Sequence, residues 1–216
     1  MMLMKYFILF FIYSFIGWCI EVIDTLIEKK QLVNRGFLIG PYCPIHGVGA
    51  MLSIFLFRDI ADNQFTVFIL GMILCSILEY LTSYIMEKAF HARWWDYSND
   101  AYNLNGRIKL LNSLFFGMAI FIVVCIVNPF LEVLIFSIND TLIKVMFSIA
   151  FIIMLIDFII SFKIINSIKN MSRTKKDNTY EISMFVRRKL KNSNILLKRL
   201  IKAFPNIVKN KIIFKK

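Results

Sequence analysis

Charge is what this chain of 216 residues has least of: 19% of it is Asp, Glu, Lys or Arg, against 58% hydrophobic residues. A soluble globular domain carries roughly 25% charged residues. That class is excluded, and 22 Phe with a mean hydropathy of +0.67 point instead to a multispanning membrane protein. Cysteine is sparse as well. Cys19, Cys43, Cys75 and Cys125 lie far apart with no CxxC among them, so there is no disulfide framework to read, and all but Cys43 fall in apolar runs as small, soft packing residues do. Signatures of soluble catalysis are missing: there is no GxxxxGK[ST], no dinucleotide-binding glycine motif, no HEXXH and no Ser/His/Asp constellation. The chain therefore has no P-loop ATPase of its own, and an ATPase serving it would be a separate subunit. No cofactor is implied.

The charge that is present is uneven. The formal net charge is +12, yet the stretch from Lys163 onward, with Arg173, Lys175, Lys176, Arg187, Arg188, Lys189, Lys198, Arg199 and Lys202 among its cations, carries only Asp177 and Glu181 against them. The rest is slightly acidic. Within this tail Ile182, Val186, Leu190, Leu197, Leu200, Ile201 and Phe204 recur near helical spacing, the pattern of a basic amphipathic segment that lies on anionic lipid. Aromatics suited to base stacking are scarce there, so nucleic acid is not the partner. Residues 1–166 read as a membrane bundle and 167–216 as a cytoplasmic basic tail.

Runs of about 20 apolar residues mark transmembrane helices, because a hydrocarbon core of roughly 30 Å is crossed at 1.5 Å per residue. About five spans are predicted, near Leu3–Ile27, Pro44–Phe57, Phe65–Met86, Leu110–Val127 and Leu142–Ile165. The first run is too long for a signal-peptide core and continues into acidic residues, so it reads as a retained anchor. The second is too short to cross alone and follows the irregular stretch RGFLIGPYCPIHGVG, Arg35–Gly49, which makes it a broken or re-entrant span. The fourth is expected to end at Asn128-Pro129, because proline removes a donor and clashes with the preceding turn. The predicted fold class is all-α: a polytopic helix bundle with a basic amphipathic C-terminal tail. Lys29, Lys30 and Arg35 follow the first span, Lys88, Arg93, Arg107 and Lys109 the third, and the tail the fifth. The positive-inside rule then puts the N-terminus outside and the C-terminus in the cytoplasm.

Ionisable residues inside spans are costly and face a partner or a watery cavity. Ser14, Gly17, Glu21, Asp24 and Glu28 share one face of the first span; Gly71, Cys75, Ser76, Glu79, Thr82 and Ser83 form a polar, small-residue face on the third; Asp157 precedes Ser161 by one turn on the fifth. Glu21, Glu79 and Asp157 could together hold a cation, a proton or a polar solute. Alternatively they form ion pairs with Arg35, Arg93 or Arg107 that fix the helix arrangement. Gly36, Gly40 and Gly47 permit close backbone approach beside Pro41 and Pro44, which set the bend. Cys43 and His46 are spaced like two metal ligands, but a metal site needs three or four and no others complete the pattern, so no metal is assigned. Trp94-Trp95-Asp96-Tyr97-Ser98 reads as an interfacial aromatic belt, or its Asp96-Tyr97-Ser98 part folds back as a polar plug over the acidic pair. Asn103-Leu104-Asn105-Gly106-Arg107 reads as a turn before the fourth helix.

Taken together, Gly17-Trp18 with Glu21, Asn34-Arg35-Gly36-Phe37, Gly40-Pro41, Cys43-Pro44-Ile45, Gly47, Glu79-Tyr80-Leu81-Thr82, Trp94-Trp95-Asp96-Tyr97-Ser98 and Asn103 to Arg107 resemble the bacterial integral membrane family of ABC-transporter type IV permease-like proteins. The resemblance runs from about Ser14 to Asn128. His46 stands where an aromatic residue is expected and Ser83 where glycine is expected, departures that bear on pocket shape, and the basic tail lies outside it. The resemblance implies a transport component of the bacterial inner membrane with a separate ATPase subunit, although no coupling-helix signature is visible. From the ionisable residues themselves, the predicted substrate or ion path passes Glu21, Glu79, Asp157, Arg35, His46, Asp96 and Arg107. A membrane-embedded lipid-processing enzyme is one alternative, without a visibly activated nucleophile; a noncatalytic assembly or regulatory protein is another. Homo-oligomerisation stays open.

The topology is checked by thiol labelling in intact cells. A cysteine placed at Asp62 should react with an impermeant maleimide, and one in the tail only after permeabilisation; labelling of the tail from outside would reverse the assignment.

Overall fold

The computed structural model describes residues 1–30, 34, 36–90, 94–173, 199 and 202. Its elements are α1 (Met2–Lys29), α2 (Pro44–Phe57), a short 3-10 turn (Arg58–Ile60), α3 (Gln64–Phe90), a hairpin of β1 (Asn103–Leu104) and β2 (Ile108–Lys109), α4 (Leu110–Ile122), a π-helical turn (Val123–Val127), α5 (Asn128–Ser137) and α6 (Asp140–Arg173). Among the described residues, four helical stretches are long and apolar enough to cross a membrane: Met2–Ile27, Gln64–Ala89, Leu110–Ser137 and Asp140–Lys163. Their outward faces, such as Ile149, Ile152, Ile153 and Ile156 on α6, are exposed hydrocarbon, as lipid contact requires. The inward residues of α6, Ile143, Ala150, Asp157 and Ser161, fall on one face at intervals of whole turns.

The second crossing is composite. With 14 residues, α2 rises only about 21 Å. Its start is pinned halfway along α1, where the Cys43 backbone N–H donates to Ser14 O at 2.9 Å. From there α2 runs antiparallel to α1 toward the chain's N-terminus, where the Phe55 ring meets Tyr6 edge-on at 5.1 Å. Residues 36–43 fill the other half of the crossing without forming a helix. The helix begins where it does because Pro44 occupies its first turn, where a missing N–H leaves nothing orphaned, while pre-proline Cys43 is extended at φ −118° and ψ 98°.

Small residues let α1 and α2 touch. A Cβ on Gly47 would sit 2.2 Å from Ser14 Oγ and 2.7 Å from Phe10 O, and one on Gly17 would sit 2.3 Å from His46 Cβ. Gly17 is therefore the space in which the His46 side chain lies. Next to this pair α3 packs antiparallel on α4, with Ser76 Oγ donating to Ser113 Oγ at 2.7 Å. Lys5 closes one end of the bundle: its Nζ donates to Phe136 O at 3.2 Å and lies 3.8 Å from Asp140 Oδ1. The N-terminus of α1, the C-terminus of α2 and the α5–α6 junction thus share one end. The loop after α1 and the Trp94–Lys109 segment share the other.

Proline does not stop the fourth span. The helix continues through Asn128-Pro129 to Ser137, correcting the expectation that it ends there. A π turn at Val123–Val127 absorbs the insult: Asn128 N–H donates to Val123 O, five residues back, so the ladder is already re-registered where Pro129 offers no N–H. Further on, α6 runs unbroken past residue 166 to Arg173. Arg35, Arg93 and the apolar pattern from Ile182 to Phe204 lie outside the described residues.

Filling the α1–α2 contact should separate the helices. Gly47→Val is expected to destabilise the bundle by about 1–3 kcal/mol, the usual cost of overpacking, read as a lower melting temperature in detergent. An unchanged melting temperature would mean that α1 and α2 are not in contact at Gly47.

Candidate functional site

A chain that abandons helix inside a bilayer must satisfy each backbone group it frees, at several kcal/mol per failure. In residues 36–43 one side chain meets two adjacent N–H groups, while the Cys43 N–H goes to Ser14 O. Asp157 Oδ1 accepts from Ile39 N at 2.9 Å and from Ser161 Oγ at 2.9 Å; Oδ2 accepts from Gly40 N at 2.7 Å and from Tyr42 Oη at 2.6 Å. On the carbonyl side, Asn34 Nδ2 donates to Ile39 O at 2.9 Å, and Asn34 Oδ1 accepts from Trp18 Nε1 at 2.7 Å. Tyr42 N–H turns back onto Gly40 O at 2.9 Å. Pro41 and Pro44 bring no N–H to satisfy. With these donors on both oxygens, Asp157 is a clamp that ties the loop to α6.

Glu79 is placed differently. It is 7% exposed on α3, and only one of its oxygens is approached: Tyr97 Oη lies 3.5 Å from Oε1, the long limit of a hydrogen bond, while Oε2 has no partner among the described residues. Opposite it, Glu21 on α1 lies within electrostatic reach, and Glu21 Oε1 is 3.4 Å from His46 Nε2 on the first turn of α2. Three helices thus deliver two carboxylates and an imidazole to the place where the second crossing changes from loop to helix. Cys75 lies one turn before Glu79. The buried Ser53 hydroxyl faces that thiol without bonding geometry to it or to any other described acceptor, and Gly49 leaves the space, since a Cβ there would reach Cys75 Sγ at 3.4 Å. Among the described residues no group of three or more His, Cys, Asp or Glu could hold a metal ion.

A folded cover closes this end. Asn105 at φ 54° and Gly106 at φ 66° supply the left-handed turn, pairing Asn103 with Lys109 and Leu104 with Ile108. Tyr97 N–H donates to Gly106 O at 2.8 Å and Trp95 Nε1 to Arg107 O at 2.8 Å, so the Trp94–Ser98 segment lies on the hairpin. Trp94 is buried at 4% exposure, its ring 6.4 Å from Phe37, which also meets Phe158. It packs inward on the broken crossing at Phe37, and the belt reading does not describe it. Asp96 Oδ1 accepts from Ser98 N at 3.0 Å and Ser98 Oγ at 2.5 Å; the residue of this segment that reaches the acidic pair is Tyr97. Arg107 is engaged with Glu87 at 2.7 Å and donates to Ser83 Oγ at 3.3 Å, beneath the Tyr80 and Tyr84 rings.

Of the residues singled out from sequence, the structure gathers Glu21, His46 and Glu79, with Gly47 and Pro44 shaping the α2 end. Gly36, Gly40 and Pro41 form the loop held by Asp157, which serves the loop and not the acidic pair. Asp96 and Arg107 belong to the cover. Arg35 lies outside the described residues. Tyr97 reaches Glu79 as a member of the expected Asp96-Tyr97-Ser98 plug, whereas Tyr42, Ser53 and Glu87 escape the sequence reading. A tyrosine inside the Gly/Pro stretch was the available signal for Tyr42, and the spacing of Ser83 and Glu87 by one turn was the signal for a shared partner.

The family described as "Putative ABC-transporter type IV" matches residues 8–162, and the chain belongs to it. It is a membrane transport component. No curated protein and no solved structure matches it.

Replacing Asp157 by Asn puts an amide donor among four donors, whereas Tyr42→Phe removes one of them. Removing one hydrogen bond to a charged group costs about 1.5–3 kcal/mol, so Tyr42→Phe should lower stability by that amount and Asp157→Asn by more, both read by thermal unfolding in detergent. Equal and negligible effects would contradict the clamp.

Proposed function

We propose that the chain is the membrane-embedded subunit of a transporter for an ion or small polar solute, with the path running along the break in the second crossing past Glu21, His46 and Glu79. The observation that carries this reading is the buried Glu79 carboxylate, one oxygen of which has no partner among the described residues, within electrostatic reach of Glu21, which itself lies beside His46 at the start of α2. A buried acceptor without a donor has a ligand as its natural complement, and a carboxylate inside a span is a binding-site candidate by its cost alone. Broken helices that present loop backbone and a half-helix end beside charged groups are a recurrent transporter device. Two carboxylates favour a cationic or proton-donating cargo. The Tyr97 cover sets access from the Trp94 end, and the family membership supports an ATPase on a separate chain. We place that end in the cytoplasm of a bacterial inner membrane on the positive-inside argument, with the basic tail against anionic lipid.

The scaffold alternative is favoured by specific pairs, Arg107 with Glu87 and Asp157 with the loop, but neither uses Glu79. For the enzyme alternative, no nucleophile among the described residues contacts a base at the acidic pair.

Reconstituted vesicles loaded with a pH- or cation-sensitive dye, with and without the candidate ATPase, read the flux. Glu79→Gln and Glu21→Gln are each expected to reduce it about tenfold or more, equivalent to at least about 1.4 kcal/mol, with the melting temperature unchanged. Undiminished flux in a folded Glu79→Gln protein would remove the path from this site.

A further inference from the structure

Asp157 answers for the Ile39 and Gly40 N–H groups of the loop; two of the loop's carbonyls are answered from the far end of the chain. Arg199 Nη2 donates to Gly36 O at 3.1 Å and also to Leu38 O. Gly36, at φ 140°, adopts a backbone that L side chains rarely take, and its carbonyl converges with that of Leu38 on a single nitrogen. Leu38 is 1% exposed, so its carbonyl would otherwise face a dry interior. The guanidinium also lies within electrostatic reach of the Asp157 carboxylate and of Cys43. It brings a positive charge to a buried anion whose hydrogen-bond donors, Ile39, Gly40, Tyr42 and Ser161, are all neutral.

We infer that Arg199 is an intramolecular latch on the broken crossing, its guanidinium seated in the carbonyl pair of Gly36 and Leu38. The occupant is argued from the contacts themselves and from charge complementarity. A guanidinium is always charged, is less strongly hydrated than an ammonium and donates in fixed directions, which suits it to a carbonyl pair beside a carboxylate. The family match stops at residue 162, so Arg199 lies outside the matched residues. The latch does not depend on Glu79 being a transport residue.

The test uses the full-length protein in membranes, treated with N-ethylmaleimide, with alkylation of each native cysteine followed by mass spectrometry. Cys43 is the reporter, because its thiol lies beside both Gly36, whose Cβ would meet it at 3.4 Å, and the guanidinium; Cys125 on the distant fourth span is the internal reference. Arg199→Ala should speed alkylation of Cys43 about tenfold, the scale of losing charge-assisted hydrogen bonds, and leave Cys125 unchanged. Arg199→Lys should restore part of the protection, and Lys202→Ala, at an exposed position, should have no effect. An unchanged Cys43 rate in Arg199→Ala would overturn the latch. So would a rise shared equally by Cys125, which makes Arg199 a general stability residue, or the same response to Lys202→Ala.

Discussion

The demand that no backbone polar group go unpaired in hydrocarbon governs this molecule. A continuous helix meets the demand by itself, so four of the crossings need only apolar side chains. The second gives up that self-sufficiency between residues 36 and 43, and the rest of the bundle is arranged around making good the loss. Asp157 gathers the amides of Ile39 and Gly40, Asn34 donates to the Ile39 carbonyl, and Ser14 O takes the Cys43 amide. Each partner comes from a different part of the chain, so the broken crossing stands only if α1, α6 and the loop are assembled together.

From this follows a division of labour among the carboxylates. Asp157 and Glu79 are alike in sequence context, a lone acid on an apolar helix, and alike in burial at 7% exposure. They differ in saturation. Asp157 has donors on both oxygens, whereas Glu79 keeps one oxygen without a described partner and has Glu21 for company. The first arrangement fixes backbone; the second is suited to taking up and releasing something. Arg107 marks the same boundary from the cationic side, because its pairing with Glu87 leaves it in the cover over the pair.

Much of the fold was legible in the sequence because hydrocarbon imposes simple lengths. The apolar runs gave the spans, the 14 residues from Pro44 to Phe57 were recognisably too few, and Asn105-Gly106 announced its turn. What escaped depends on contacts made across the bundle. Nothing local says that Asp157 would bond a loop more than a hundred residues earlier, that Trp94 would turn inward onto Phe37, or that Tyr97 and not Asp96 would reach toward Glu79. Pro129 fails to stop its helix for a local reason: the rule that proline ends a helix holds for an α ladder, and the π turn before it has already changed the ladder. The polar faces of the first and third spans were visible as periodicity, but their meeting at His46 is a consequence of where α2 starts.

The most direct test of the account is amide hydrogen exchange over residues 36–43 of the full-length protein in lipid nanodiscs. If the break is seated inside the bundle on Asp157, the amides of Ile39, Gly40 and Cys43 should exchange about as slowly as those in the middle of α1. Exchange at the rate of a free surface loop would contradict the account.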